Sequence, residues 1–401
     1  MNAVYDLSSD AYYTDPYPTY ARMRRDDPVY LHPDMGMWFV TRHADVLALM
    51  RDPRWSSQRV DLLFTGVSPE LGDDIKVVHR FYTDWLVFLD PPGHSRLRRL
   101  MTRAFTPRRI EVIREFAQAT VDRALDRVAG AGRFDLIADF SAPVPAQVIS
   151  HMLGVPEPDV EQFKAWTAEV FRVPSWVGDQ DENVRAAANG VRQLEDYFRE
   201  MIAERRRRPA DDLLGTLVAA SEEGHFLTDQ ELVSTCALLL VAGHETTTNQ
   251  IGNAVIALLR HPAELARLRA DPALIGSAVE ELLRYEASSG CLGRIAKEDV
   301  EVAGQVIPAG HLAMCVPQSA NRDEEAFAEP DRLDLGRTDI RHFGLGHGPH
   351  TCLGAALARL EIGVAIETLV RRFPRLALET DQLRWMHSLA ERGVTSLPVT
   401  V

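Results

Sequence analysis

Apolar positions recur at helical spacing along most of this chain and alternate at strand spacing only over short runs. Residues 108–130, 141–153, 156–172 and 181–208 read as amphipathic helices, with a shorter one at 211–221. Residues 29–31 and 37–41 read as two strands around the turn HPDMG, and a helix at 43–51 stops at Asp52-Pro53. Further strands are predicted at 134–137, 300–306 and 312–317, and in a tail from 376 that loops at 385–393. Residues 54–89 keep no period but hold Trp55, Phe64, Phe81, Trp85 and Phe88, which predicts a binding loop. The elements so read are mostly helices with a few short strands. With no repeat or low-complexity linker to divide it, one domain over residues 1–401 is expected.

Two stretches break the pattern. Thr228-Asp229-Gln230-Glu231 predicts a capping box that opens a helix running without proline to His261. That helix is apolar on nearly all sides, so its middle, AGHETTTNQ, is out of place. Gly243 and three threonines weaken local helical bonding. They read either as a packing notch or as a groove beside a cofactor.

The second stretch is FGLGHGPHTCLGAALARLE, residues 343–361. Glycines at 344, 346 and 348 give a turn-rich loop, and the run after Cys352 predicts a helix starting there. A thiol at a helix N-terminus is favoured as thiolate. A phosphate loop would need free N–H groups where Pro349 and His350 stand. A zinc site on His347, His350 and Cys352 lacks a second ligand pair. An ordinary loop with a free cysteine is the plainest alternative.

Net charge is −14 and pI about 5.4, which argues against general nucleic-acid binding. No apolar run is long enough for a membrane span, and no signal peptide is indicated. Four scattered cysteines make no disulfide framework, so a cytoplasmic setting is expected. Against the acidic whole, a helix predicted at 94–105, launched by Asp90-Pro91-Pro92-Gly93, gathers Arg96, Arg98, Arg99 and Arg103. On charge alone this is a solvated basic face.

The pattern G-x-G-x-x-x-H-x-C-x-G (Gly344 to Gly354), followed by Leu357-Ala358-Arg359, closely resembles the haem-ligand loop of the cytochrome P450 family. Ala242-Gly243-His244-Glu245-Thr246 resembles that family's A/G-G-x-D/E-T motif. Glu281 and Arg284 resemble its E-x-x-R pair, and residues 321–337, with Phe327, Pro330 and Arg332, its meander. The signatures fall in the family's order across essentially the whole chain.

The resemblance implies the single-domain cytochrome P450 fold, mainly α with small β-sheets, and haem b (iron protoporphyrin IX), with Cys352 as the iron ligand in a loop that includes Leu345, Gly346 and Gly354. It implies propionate contacts from His94, Arg98, Arg294 and His350, and a groove for oxygen at Ala242 and Gly243. Thr246 and Glu245 are expected to deliver protons. The implied reaction inserts one oxygen atom from O2 into a small organic substrate, expected to be a bacterial specialised metabolite. Electrons would come from a separate ferredoxin or flavodoxin with its reductase, docking on the outward arginines of residues 94–105. A monomer is expected.

Other oxidations on the same fold, such as phenol coupling or epoxidation, remain open. A peroxide-driven branch usually lacks the acid–alcohol pair, and a haem sensor without turnover has no use for it. One departure stands out: the family usually has phenylalanine where this chain has Leu345, with Phe343 two residues earlier. Ligation is left intact, and the surroundings of the thiolate change.

Overall fold

The computed structural model describes residues 5–175, 179–222 and 225–401. The chain forms two compact units: Met1–Ser56, Arg114–Val144 and Glu245–Val401 make the first, and Ser57–Ile113 and Pro145–His244 the second. Each is assembled from separated stretches of sequence, which is why no linker or composition shift announced a boundary.

In the first unit a five-stranded sheet has the order Val29–Leu31, Trp38–Val40, Leu312–Cys315, Leu292–Ala296, Trp55–Ser56. Leu312–Cys315 pairs parallel with Trp38–Val40 and antiparallel with Leu292–Ala296. Its apolar residues join Val46, Leu49, Met50 and Phe343 in one buried cluster. Burying a side chain the size of Phe343 contributes roughly 1.5–3 kcal/mol, so the start of the cysteine loop is fixed to this sheet. The strand predicted at 300–306 is a hairpin, Val300–Val302 with Gln305–Ile307, because Ala303 and Gly304 turn the chain at positive φ. In the tail, Pro398–Thr400 lies between Ala377–Leu378 and Arg133–Asp135.

The most buried polar feature of this unit is Glu281 with Arg284, both side chains at 0% exposure. Both lie on the Ile275–Tyr285 helix one turn apart, and the guanidinium grips the carboxylate through Nε and Nη2, each at 2.7 Å. Arg284 also donates to the carbonyls of Asn321, Pro330 and Arg332, and lies over the Phe327 ring. Glu281 accepts from the Asp334 N–H and from Arg337. The side chain of Asn321 then catches the N–H of Phe343 at 2.7 Å. A helix, the 321–337 meander and the cysteine loop are thus joined in one bonded chain.

The second unit is helical among its described residues, apart from Ser221–Glu222 paired with His225–Phe226. Val160–Ser175 packs on Gln180–Arg207, with Phe163 edge-on to Tyr197. Asp179 caps the latter by accepting from the N–H groups of Asp181 and Glu182. Here the reading of residues 54–89 is corrected. Gly72–Thr83 is a helix packed on Gln180–Arg207, and Phe81, Tyr82, Trp85 and Phe88 are buried. Its buried face holds Val78, Phe81 and Tyr82, and the dense aromatics just beyond it, Trp85 and Phe88, blurred the period. The arginine helix is Gly93–Thr102, shorter than expected. At the Arg205–Arg208 helix end, Arg205 pairs with Asp212 and Arg206 with Asp229.

The long helix spans Asp229–Arg260. Its capping box forms as predicted: Thr228 Oγ1 accepts from the Glu231 N–H at 3.1 Å, and a Glu231 carboxylate oxygen accepts from the Thr228 N–H at 2.8 Å. Its later polar residues are satisfied. Gln250 donates to the carbonyls of Leu282 and Glu286 and accepts from the Ser288 N–H, and Asn253 donates to the Arg392 carbonyl.

Removing one partner of the Glu281–Arg284 pair strands a buried charge. Glu281→Ala is expected to cost roughly 3–5 kcal/mol in urea unfolding and to loosen the meander. An unchanged midpoint contradicts this.

Candidate active site

Cys352 is the one exposed cysteine of four. Burial pushes the thiols of Cys291 and Cys315 up to about 12 and raises Cys236 further, so all three stay protonated and inert. The Cys352 N–H bonds to the Leu345 carbonyl at 2.8 Å, which closes residues 345–352 into a loop. Gly346 and Gly348 have φ of +68° and +70°. A Cβ on Gly348 would stand 2.6 Å from the Met50 carbonyl oxygen, so this loop lies directly on backbone and tolerates no side chain there.

The helix does not start at Cys352. It runs Ala355–Arg372 with Gly354 as N-cap, because Ala355 turns back onto the Cys352 carbonyl first. The dipole falls off within one turn, so its help to the sulfur is smaller than the sequence implied. Arg359 is paired with Glu280, which raises its pKa, with a smaller contribution from the charge of Cys352. Burial opposes ionisation of Glu280, but hydrogen bonds from His342 and Arg359 hold its carboxyl down at about 2. His342 Nδ1 accepts from the Gly344 N–H, so Nε2 carries the proton given to Glu280. His347 Nε2 accepts from Arg51 Nε at 2.8 Å. Among the described residues no three His, Cys, Asp or Glu side chains gather as a metal site.

The AGHETTTNQ stretch opens a gap in a helix that is otherwise well buried. Ala242 is exposed and residues 243–246 are partly so, whereas 236–241 and 247–258 are buried. Gly243 has a packing reason: a Cβ there would press on Ile149 at 2.9 Å. The His244 ring is bonded to the Leu240 carbonyl, and burial lowers its pKa, so it stays neutral. Burial, and secondarily the charge of Glu391, push the Glu245 carboxyl up to about 8, so it holds a proton at neutral pH.

The remaining predicted residues divide between the units. Arg294 is buried in strand Leu292–Ala296 and bonds the Gly293 carbonyl; His350 is partly buried, in the turn Gly348–His350. In the second unit His94 is 2% exposed and Arg98 partly buried on the arginine helix, while Arg99 and Arg103 are exposed. Arg96 is not an outward charge, since it pairs with Glu231. The resemblance also implies pocket-lining residues at 174–176, which lie outside the described side chains. Sequence reasoning missed two acids, buried Glu361 and half-buried Glu391. Neither oxygen of Glu361 has a hydrogen-bond partner among the described residues, and burial raises its pKa well above the carboxylate range. Glu391 accepts from Asn249 at 2.9 Å. Neither belongs to a spacing that marks chemistry; Glu361 reads as a routine helix residue and Glu391 as a partner for Arg392.

A haem is a flat apolar ring with two carboxylates and an iron that binds one soft protein ligand. Within the first unit, the reachable sulfur in a stiff glycine loop and the buried Arg294 suit such a group. Fold and residues together are those of a haem-using oxidoreductase.

Comparison with known proteins gives the family. The cytochrome P450 family model matches residues 72–396, which run through both units. The chain is 40% identical to cytochrome P450 107B1 of Saccharopolyspora erythraea over 408 aligned residues, 97% of this chain and 96% of that protein. It is 41% identical to nocardicin C N-oxygenase of Nocardia uniformis subsp. tsuyamanensis over 400 residues, 96% of each. The crystal structure of P450BioI, in complex with acyl carrier protein ligated to hexadec-9Z-enoic acid, aligns with a TM-score of 0.90 at 35% identity, covering 98% of this chain and 99% of that one. This chain belongs to the cytochrome P450 family. It is an oxidoreductase of the monooxygenase type that uses haem, and no helix among its described residues is long and apolar enough to cross a membrane.

The exposure contrast among the cysteines predicts a chemical result. In the haem-free protein, brief treatment with iodoacetamide is expected to label Cys352 alone by mass spectrometry, with haem loading protecting it. Equal labelling of Cys236, Cys291 or Cys315 contradicts the assignment of the reachable thiol.

Proposed function

We propose that this protein inserts one oxygen atom from O2 into a small organic substrate of bacterial specialised metabolism, with electrons from a separate ferredoxin and its reductase. The observation that carries the reading is the acid–alcohol pair Glu245-Thr246 in the open stretch of a buried helix, with Glu245 protonated at neutral pH. The naming of a relative as nocardicin C N-oxygenase supports the substrate class.

Haem, when bound, supplies the activation of dioxygen and the oxidising equivalent. Cys352 would be the ligand that holds it, with the Leu345 carbonyl fixing the Cys352 backbone. Leu345, Gly346 and Gly354 shape the loop around the sulfur. His94, Arg98, Arg294 and His350 take the two carboxylates of the ring. Ala242 and Gly243 leave space for oxygen on the helix face. Glu245 holds a proton on its carboxyl and passes it towards Thr246, whose hydroxyl donates it at the reacting oxygen. The pair serves a catalyst that consumes protons each turnover and has no purpose in a sensor. Exposed Arg99 and Arg103 offer an acidic electron donor a basic face on an acidic protein.

The test uses oxygen-18 gas with a substrate found by screening for a Soret shift. One labelled oxygen atom is expected in each product molecule. Thr246→Ala is expected to keep substrate binding and oxygen consumption while more of the electrons end in peroxide. Product without label, or a Thr246→Ala protein with undiminished product per electron, contradicts the reading.

A further inference from the structure

The Ser388–Gly393 segment is fixed against two neighbours in the first unit. It runs beside residues 288–291, with Gly290 and Cys291 N–H groups bonded to the carbonyls of Ala390 and Leu389 and a bridge between Ser289 and Glu391. On its other side Asn253 holds the Arg392 carbonyl, and Gly393 lies so close to Asn249 that a Cβ there would overlap the amide. These contacts place Glu391 against the long helix, where its carboxylate accepts from Asn249 Nδ2 at 2.9 Å. Asn249 is four residues after Glu245 and therefore on the same face, one turn along. Glu391 lies near enough to Glu245 for its charge to act on that carboxyl.

Glu391 also lines a cavity of about 20 Å³, with Tyr12, Tyr13, Tyr20, Gln318 and Ser388 in the wall. That volume has room for about one water, and the polar lining supplies partners for it. Tyr13 and Ser388 are only partly buried and Ala390 is exposed, so the cavity lies near solvent. The groups facing Glu391 are Glu245 from the long helix, Tyr12, Tyr13 and Tyr20 from the N-terminal helices, and Arg392 beside it. The Arg392 guanidinium is turned away to Glu286 and to the carbonyls of Tyr13 and Thr14, and burial raises the pKa of all three tyrosines. Among the described residues no cation is committed to Glu391. Burial pushes its carboxyl up to about 7 against the pull of Asn249, so it gains and loses a proton near neutral pH.

We propose that Glu391 is a positioning residue of the proton route, which holds a proton beside Glu245, returns it after Glu245 has given up its own, and is refilled from the tyrosine-lined cavity. The step balances: Glu245 loses one proton towards Thr246 and becomes a carboxylate, Glu391 transfers one proton to it, and cavity water exchanging with solvent protonates Glu391. One solvent proton enters for each passage. The proposal rests on the reading of Glu245 as the proton donor.

The test compares the haem-loaded wild type with Glu391→Gln and Glu391→Asp. Infrared difference titration reads the protonated-carboxyl band, and product per electron is followed against pH. Two buried carboxyls are expected to titrate near neutral pH in the wild type, Glu391 near 7 and Glu245 near 8. In Glu391→Gln one is lost, and Glu245 titrates lower because the neighbouring charge is gone. Product per electron falls severalfold, and its alkaline decline moves to lower pH. Glu391→Asp, which keeps the acid, restores most of the coupling. A purely structural role is separated by Glu391→Gln itself, because the introduced amide oxygen can still accept from Asn249. Wild-type coupling and pH profile in Glu391→Gln overturn the proposal. If Thr246→Ala nevertheless diverts electrons to peroxide, the Glu245-Thr246 reading survives and only Glu391 is removed. If Thr246→Ala also leaves coupling unchanged, the relay itself falls. Should Glu391→Gln fail to fold, a wild-type titration showing a single buried carboxyl near neutral pH overturns the proposal by itself.

Discussion

The site depends on an ion pair that never touches it. Glu281 and Arg284 are fully buried, and the cost of taking both charges out of water is met only because nearly every donor and acceptor between them is used. Those bonds reach into the meander, a stretch with little regular structure that has to be held from outside. Asn321 is the link. Its carbonyl is held by Arg284 and its side chain holds the N–H of Phe343. From Phe343 the constraint passes to Gly344, Gly346 and Gly348, the last two in conformations that glycine adopts without strain, and so to the backbone of Cys352. A sulfur that is exposed for binding is thus carried on a backbone anchored to a helix and a sheet.

The electrostatics follow the same division. Three cysteines are kept neutral by burial, and the fourth, Cys352, is exposed. On the long helix the logic is reversed. Glu245 is kept protonated by burial, which is how a carboxylic acid is made to donate at neutral pH. Glu391 extends this arrangement by a second acid held through Asn249. The two sets of groups need opposite environments, and the chain supplies them from a loop and from the middle of a helix.

Much of this was legible in the sequence, for physical reasons that differ by element. The capping box at Thr228 and Glu231 and the helix limits at residues 43 and 51 are local, set by side chains a few residues apart, and they form as expected. The cysteine loop was legible because glycine and proline restrict backbone choice strongly. The stretch at 54–89 was misread because aromatic residues that pack a core look the same in sequence as aromatic residues that line a ligand site. The helix start after Cys352 was placed early because propensity cannot see the turn back to the Cys352 carbonyl. Glu391 was invisible for a deeper reason. Its neighbours, Glu245 and Asn249, lie far off in the chain, and nothing around residue 391 signals that they will meet.

The most direct measurement is the visible spectrum of the reduced protein under carbon monoxide, taken for the wild type and for Cys352→His. With the loop carried as described, the wild type shows the red-shifted Soret band of thiolate ligation and Cys352→His loses it while still binding haem. A Cys352→His protein that keeps this band, or a wild type that never shows it, contradicts the account.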